Sequence, residues 1–196
     1  MKRINSGILI LLLGASLSNS QTPLEVIKDS NQKILDIYAS HQDISREMEE
    51  AIFQIMDSVT DFNTISLRTI ERFCRKMSEM ECRELDRVFQ ELLRVSSIKK
   101  VGRYRAERFE YLGEDIDGTR ALVKTIAYYE DDTYELDYHL ELIDNAWKIV
   151  NYTADGVDTI RNYRKQFQKI LRKESPAQLL TRLENKIQEF RNEESE

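Results

Sequence analysis

Apolar and polar residues alternate in the second half of the chain. Over residues 134–142, Tyr and Leu occupy every second position, and Glu, Asp or His occupy the positions between them. This period of two predicts an antiparallel strand with one buried face and one solvated face. Residues 121–129 and 147–152 alternate in a similar way, and a shorter strand fits residues 109–111. The pattern therefore predicts about four strands that meander through one sheet.

Outside the strands, apolar residues recur every three or four positions, which is the period of helices packed on one side. Two helix starts stand at Thr22-Pro23 and Ser175-Pro176, where a hydroxyl cap precedes a proline and Glu or Gln follows three residues after the cap. Ser78 begins a third capping box, and further helices are predicted near 45–60, over 65–76 and from 157. The fold class is therefore α+β, a curved antiparallel sheet of about four strands covered on one face by helices.

The N-terminus has the pattern of an export signal. A short basic start precedes an apolar run at residues 8–13, and small residues follow at 18–20. The run is shorter than the roughly 20 residues that a membrane span needs. We therefore predict a secretory signal peptide over residues 1–20, one domain over 21–190 and a disordered tail over 191–196. The formal net charge of −6 argues against a nucleic-acid partner, since phosphate contacts need a basic face.

The two cysteines, Cys74 and Cys82, are eight residues apart. On one unbroken helix they would be separated by about 12 Å, which is too far for a disulfide. The capping box at Ser78 interrupts the helix, so a bridge across the turn is possible, and an oxidising compartment favours it. Two buried thiols, one on each helix, are the alternative.

The stretch from Trp147 to Phe167 resembles the MlaC or toluene-tolerance family of periplasmic phospholipid-binding proteins. The likeness covers about residues 23–188, and it departs from the family at Asp158, at Asn151 and at the cysteines. The residues that carry it are Trp147-Lys148, Gly156-Val157, Ile160, Asn162-Tyr163-Arg164, Gln166-Phe167, Thr60-Asp61-Phe62 with Ile65, and Leu136-Asp137-Tyr138.

The resemblance implies a cone of the NTF2-like or cystatin-like kind, opened to hold lipid. It implies a monomeric periplasmic carrier of diacyl glycerophospholipid that moves lipid between an outer-membrane lipoprotein complex and an inner-membrane ABC transporter. No cofactor, metal or catalytic residue is expected. The alternative is an exported adaptor whose core is filled. The residues expected to contact lipid are Val123, Ala127, Leu136, Tyr138, Leu140, Trp147, Ile149, Val157 and Ile160.

An acid–base enzyme is the rival hypothesis, because NTF2-like folds host enzymes that use a buried carboxylate. Asp137 and Asp158 are its candidate carboxylates, although the first lies on the polar face of a strand and the second at a helix start. His41 and His139 fit solvated positions, and the acidic pairs lack the full spacing of a calcium loop.

Basic residues concentrate in two places. Both sets fit a functional contact with lipid phosphate, an anionic membrane or an acidic partner, and both also fit a solvated helix face. The first set is Arg94, Lys99, Lys100, Arg103, Arg105 and Arg108. The second set is Arg161, Arg164, Lys165, Lys169, Arg172 and Lys173.

Overall fold

The structure, a computed structural model, describes residues 21–39, 45–103 and 105–192. The predicted signal peptide and His41 lie outside the described residues, as do residues 193–196 of the predicted tail. The helices are α1 (Pro23–Ala39), α2 (Arg46–Val59), α3 (Phe62–Cys74), α4 (Glu79–Arg103), α5 (Thr159–Leu171) and α6 (Pro176–Asn192). The strands are β1 (Arg108–Asp117), β2 (Arg120–Tyr129), β3 (Asp132–Ile143), β4 (Ala146–Ala154) and β5 (Val157–Asp158).

The predicted capping boxes open their helices. At the start of α1 the Thr22 amide donates to a Glu25 carboxylate oxygen over 2.7 Å, and the Glu25 amide donates back to the Thr22 hydroxyl over 3.2 Å. Ser78 pairs with Glu81 in the same reciprocal way at the start of α4. Each box satisfies helix amides that would otherwise lack an acceptor.

The strands form one antiparallel meander in the order β1-β2-β3-β4-β5, so the predicted α+β class is confirmed, with a short fifth strand added. Asp144 and Asn145 both have positive φ, at 48° and 65°, in the two-residue turn between β3 and β4. Such turns match the right-handed twist of the strands they join.

The structure corrects three predicted boundaries. β1 does not stop before Gly113 but continues to Asp117, because a bulge between Tyr111 and Gly113 absorbs one residue, and Gly113 takes a φ of 129° there. Helix α3 begins at Phe62 rather than at residue 65. Helix α6 continues to Asn192, beyond the boundary predicted at residue 190.

Helices α3, α4, α5 and α6 pack into one apolar cluster, which we call the helix cluster. Its largest residues include Phe89 and Phe167, whose rings meet edge to face with centroids 4.9 Å apart. Cys74 and Cys82 lie against this cluster and form a disulfide, with Cα atoms 5.2 Å apart, that ties the end of α3 to the first turn of α4.

A second, smaller cluster joins the start of α1 to the sheet, and we call it the sheet cluster. It contains Ile27 of α1 with Ala121, Val123, Leu140 and Ile149 of the strands. These side chains occupy only one half of the inner sheet face, the half nearest the β1–β2 and β3–β4 turns. No helix in the described part of the chain is long and apolar enough to cross a membrane.

Candidate functional site

A cavity of about 320 Å³ lies over the other half of the inner sheet face. The strands form its floor, α1 and α2 form its walls, and the C-terminal part of α4 closes one side. It is therefore bounded by the helix cluster and the sheet cluster, and each contributes one residue to the lining, Phe62 from the first and Ile149 from the second.

Two alanines keep the floor low. Ala127 of β2 pairs with Tyr134 of β3, and Ala154 of β4 pairs with Leu136 of β3, so these two large floor residues each have an alanine directly across. All four residues line the cavity. Larger residues in place of the two alanines would fill the space above the strands. The small volume of alanine therefore leaves a cavity here, whereas the side chains of the sheet cluster are closely packed.

The walls are apolar and only half-buried. Ile34 and Leu35 on α1 face the cavity, as do Ile55 and Met56 on α2, and none of these four is sealed from solvent. Large aliphatic side chains in a well-packed core are usually fully buried. Their partial exposure follows because α1 and α2 flank a space that no side chain occupies.

The polar groups of the lining are engaged with the protein itself. The Tyr38 hydroxyl donates to the Val101 carbonyl oxygen over 3.0 Å, and the Ser30 hydroxyl donates to the Ile27 carbonyl oxygen over 3.1 Å. Asn31 donates to the Tyr111 hydroxyl over 3.5 Å. Groups that are already paired offer a ligand little polar specificity, so the cavity presents mainly hydrocarbon.

Burial raises the pKa of two tyrosines that line the cavity. It raises the pKa of Tyr38 to about 12, although the nearby Arg105 guanidinium opposes the shift, and it also raises the pKa of Tyr138. Among the described residues of the lining, Asp155 alone carries a formal charge, and it lies exposed at the rim, where its carboxylate accepts a hydrogen bond of 2.9 Å from the Glu135 amide.

Four of the nine residues predicted to contact lipid line this cavity, namely Ala127, Leu136, Tyr138 and Ile149. The structure does not bring the other five to it. Val123 and Leu140 are fully buried in the sheet cluster, and Trp147 packs against that cluster. Ile160 belongs to the helix cluster, and Val157 is 53 % exposed.

Sequence reasoning missed the helical walls, because the apolar faces of α1 and α2 fit ordinary core packing. A usable signal was the number of large apolar residues near the end of α1 and along α2. They exceed what the short face of the sheet can bury, which indicates a space beside them. It also missed Phe109 and Tyr152, whose strands were predicted correctly but whose side chains were not assigned to the site.

A second cavity, of about 410 Å³, lies between the end of β4 and helices α5 and α6. It shares Tyr152 and Ala154 with the first cavity, but its lining is more polar and includes Asn162, Gln166 and Arg182. Arg182 is committed to Glu174, with nitrogen–oxygen distances of 2.6 and 2.8 Å.

The candidate catalytic carboxylates do not line the first cavity. Asp158 is the N-cap of α5, where one carboxylate oxygen accepts from the Arg161 amide over 2.7 Å and the other accepts from Asn151 over 2.8 Å. Asp137 occupies the outward face of β3, opposite to Leu136 and Tyr138. Within the described ranges, no group of three or more potential metal ligands comes together.

Comparison with known proteins gives one family and one similar structure. The family model described as MlaC protein matches residues 28–185. The structure of a phospholipid-binding protein from Ralstonia solanacearum, in complex with a phospholipid, aligns with a TM-score of 0.68 at 17 % identity, covering 87 % of this chain and 99 % of that one. The search of curated protein sequences finds no match.

Proposed function

The chain belongs to the MlaC protein family, and on that premise we propose that it is a periplasmic phospholipid carrier. In this proposal the acyl chains of a diacyl glycerophospholipid occupy the cavity between the sheet and helices α1 and α2. The headgroup stays at the rim. The phospholipid bound to the similar protein from Ralstonia solanacearum supports this choice of ligand.

The observation that carries the proposal is an apolar space whose polar groups are already paired. Each CH₂ group removed from water gains about 0.8 kcal/mol, so a lipid leaves a membrane only for a site of comparable attraction. A hydrocarbon floor formed by Ala127, Leu136, Tyr138 and Ile149 offers that attraction without demanding a particular headgroup. Transfer between two such environments is nearly balanced, and it needs no chemical step.

The size of the cavity bears on how lipid enters. About 320 Å³ is near the lower end of the roughly 300–1,000 Å³ typical of small-ligand pockets. We therefore propose that two acyl chains enter as α1 and α2 move apart. The half-buried residues Ile34, Leu35, Ile55 and Met56 would then contact the chains directly.

The finer part of the proposal concerns the route. As a member of this family the protein would receive lipid from, or deliver it to, an outer-membrane lipoprotein complex and an inner-membrane ABC transporter. The sequence has no phosphate-binding glycine loop, so the energy for directed transport would come from such a partner. The carrier would act as a monomer and without a cofactor.

Native mass spectrometry of the exported, purified protein tests the proposal, followed by organic extraction of whatever it holds. We expect a mass increment equal to a diacyl glycerophospholipid, and its recovery in the organic phase. Protein stripped of lipid and then incubated with phosphatidylethanolamine vesicles should regain the increment. A bare mass before and after incubation would overturn the carrier. Hydrolase or isomerase turnover would then favour the enzyme, and its absence a filled adaptor.

A further inference from the structure

Helix α5 carries a concentrated positive charge in a chain that is acidic overall. Residues 159–173 contain six Lys and Arg residues and no Asp or Glu, in a chain whose formal net charge is −6. Five of the six are exposed, and four of these, Arg161, Lys165, Lys169 and Arg172, lie on one side of the helix. At 100° per residue they fall within an arc of roughly 80°, and they extend along about 16 Å of the helix. We call these four residues the α5 stripe.

The acidic residues at the two ends of α5 are committed elsewhere. Asp158 caps the helix and also accepts a hydrogen bond from Asn151. Glu174 is paired with Arg182 of α6. Across the described part of the chain, no ion pair joins an acidic side chain to a residue of the α5 stripe. Among the residues that the structure describes, the stripe therefore has no internal counter-ion, and its charge faces solvent.

Helix α3 extends the positive surface beside the stripe. The Arg164 guanidinium donates to the carbonyl oxygen of Arg68, and Arg72 donates to Gln168 over 2.8 Å. These bonds hold α3 against one side of α5 and bring two further arginines next to the stripe. Arg68 is itself paired with Glu141, whereas no ion pair among the described residues neutralises the stripe on α5.

We propose that the α5 stripe is a contact surface for the phosphate groups of an anionic lipid bilayer. Anionic headgroups attract basic residues that lie within a few ångströms of the surface, and cations along one side of a helix can face such a plane together. The stripe contributes no residue to either cavity. The inference thus goes beyond the carrier function, and it places the protein against a membrane while the cavity exchanges its contents.

An acidic protein face is the other chemistry that would suit a row of cations. The centres of protein–protein interfaces are rich in aromatic residues and poor in lysine. The stripe is half lysine, and every apolar side chain of α5 is buried or half-buried in the fold. Without an apolar anchor, the attraction is electrostatic and reversible, which favours the lipid surface.

Vesicle flotation of the whole mature protein tests the inference. One set of vesicles is phosphatidylcholine alone, and the other contains one part phosphatidylglycerol to three parts phosphatidylcholine. We expect binding to the anionic vesicles only, with a loss as salt shortens the range of the attraction. Each removed cation should weaken partitioning about fivefold. The variant Arg161→Ser/Lys165→Ser/Lys169→Ser/Arg172→Ser should therefore bind at least about 100-fold more weakly.

A matched control removes the same charge elsewhere. Lys33→Ser/Arg83→Ser/Arg87→Ser/Lys124→Ser takes two lysines and two arginines from exposed positions outside the stripe. It should bind within about threefold of the wild type. Equal weakening of vesicle binding in both variants would show that binding depends only on net charge. That result would overturn the proposal that the α5 stripe contacts the membrane. A wild type that ignores anionic vesicles at low salt would also overturn it, and would leave an acidic protein as the occupant.

Two further measurements keep the outcome interpretable. Thermal denaturation shows whether each quadruple variant folds, and the double variant Lys165→Ser/Lys169→Ser should give an intermediate loss of about 25-fold if the larger one does not. Native mass spectrometry of all variants should find the same lipid occupancy as in the wild type. If vesicle binding fails while lipid occupancy stays normal, the membrane-contact proposal fails and the carrier function stands.

Discussion

The backbone amide of Asp61 donates a hydrogen bond of 2.9 Å to the carbonyl oxygen of Ile149. This bond ties the junction between α2 and α3 to the middle of β4, and Thr60 forms a parallel bridge to the same residue. The Asp61 carboxylate also caps α3, accepting from the Thr64 amide over 2.8 Å. Because Thr60 and Ile149 both line the cavity, this junction sets how closely α2 approaches the floor.

Loss of the Asp61 carboxylate should therefore weaken the fold at the cavity. Asp61→Ala leaves the amide in place but removes the cap of α3, and we expect the free energy of unfolding to fall by about 1 kcal/mol. Asp61→Asn keeps an oxygen that can accept from Thr64 and should lose less than half as much. Urea denaturation of the three proteins measures the difference, and equal losses in both variants would contradict the capping role.

The same substitution at two alanines of β2 should have different consequences. Ala121 lies in the packed sheet cluster, so Ala121→Phe should destabilise the protein by about 1–3 kcal/mol through overpacking. Ala127 faces the cavity, so Ala127→Phe should cost less than about 1 kcal/mol and should displace bound lipid. Thermal denaturation measures the first effect, and native mass spectrometry measures the second. If Ala127→Phe retains full lipid occupancy, the cavity is not the acyl site.

Stability should fall at alkaline pH. Burial raises the pKa of Tyr38 to about 12 and raises the pKa values of Tyr138 and Tyr163, so the folded state holds these phenolic protons more tightly than the unfolded chain does. Their stabilising contribution is complete below the ordinary tyrosine pKa near 10 and is lost as pH rises through about 10 to 12.

Urea denaturation at a series of alkaline pH values measures this loss, with tyrosinate absorbance as an independent record of ionisation. The variant Tyr38→Phe removes one of the buried phenols. Its free energy of unfolding should be lower at neutral pH by about 1 kcal/mol, because the hydrogen bond to Val101 is gone, and should decline less steeply above pH 10. Parallel declines for the two proteins would show that Tyr38 does not contribute.

The disulfide should stabilise the fold without shaping the cavity. Its closed loop runs from Cys74 to Cys82. Closing a loop of that length lowers the conformational entropy of the unfolded chain, which stabilises the fold by about 2.5 kcal/mol. Cys74→Ser/Cys82→Ser should therefore lower the free energy of unfolding by about that amount while leaving lipid occupancy unchanged. Chemical denaturation and native mass spectrometry are the measurements, and a loss of lipid at temperatures where the variant stays folded would contradict this separation.

Much of the fold was predictable because its determinants are local. The caps at Thr22, Ser78 and Ser175 are satisfied by residues three positions away, so a short stretch of sequence contains the whole interaction. The alternation of apolar and polar residues over β3 likewise indicates which face of the strand is exposed to solvent. The bulge at Gly113 was not predictable in this way, since a glycine between Leu112 and Glu114 fits a strand end as well as a kink within a strand.

The site was harder to predict than the fold, because a packed face and a cavity wall have the same sequence pattern. Val123 and Ala127 lie four residues apart on the same face of β2, yet one is sealed in the sheet cluster and the other lines the cavity. The difference depends on where α1 ends its contact with the sheet. That is decided by residues about a hundred positions away, and no local spacing reports it.

If acyl chains occupy the cavity as proposed, the side chains at Ala127 and Ala154 would set how deep a chain can enter. Both positions lie on hydrogen-bonded strands, so a larger side chain there shortens the available depth without moving the backbone. In a close-packed interior, an added side-chain group and a tail carbon cannot occupy the same space. On that proposal, larger side chains at these two positions would favour shorter acyl chains in relatives that keep this sheet.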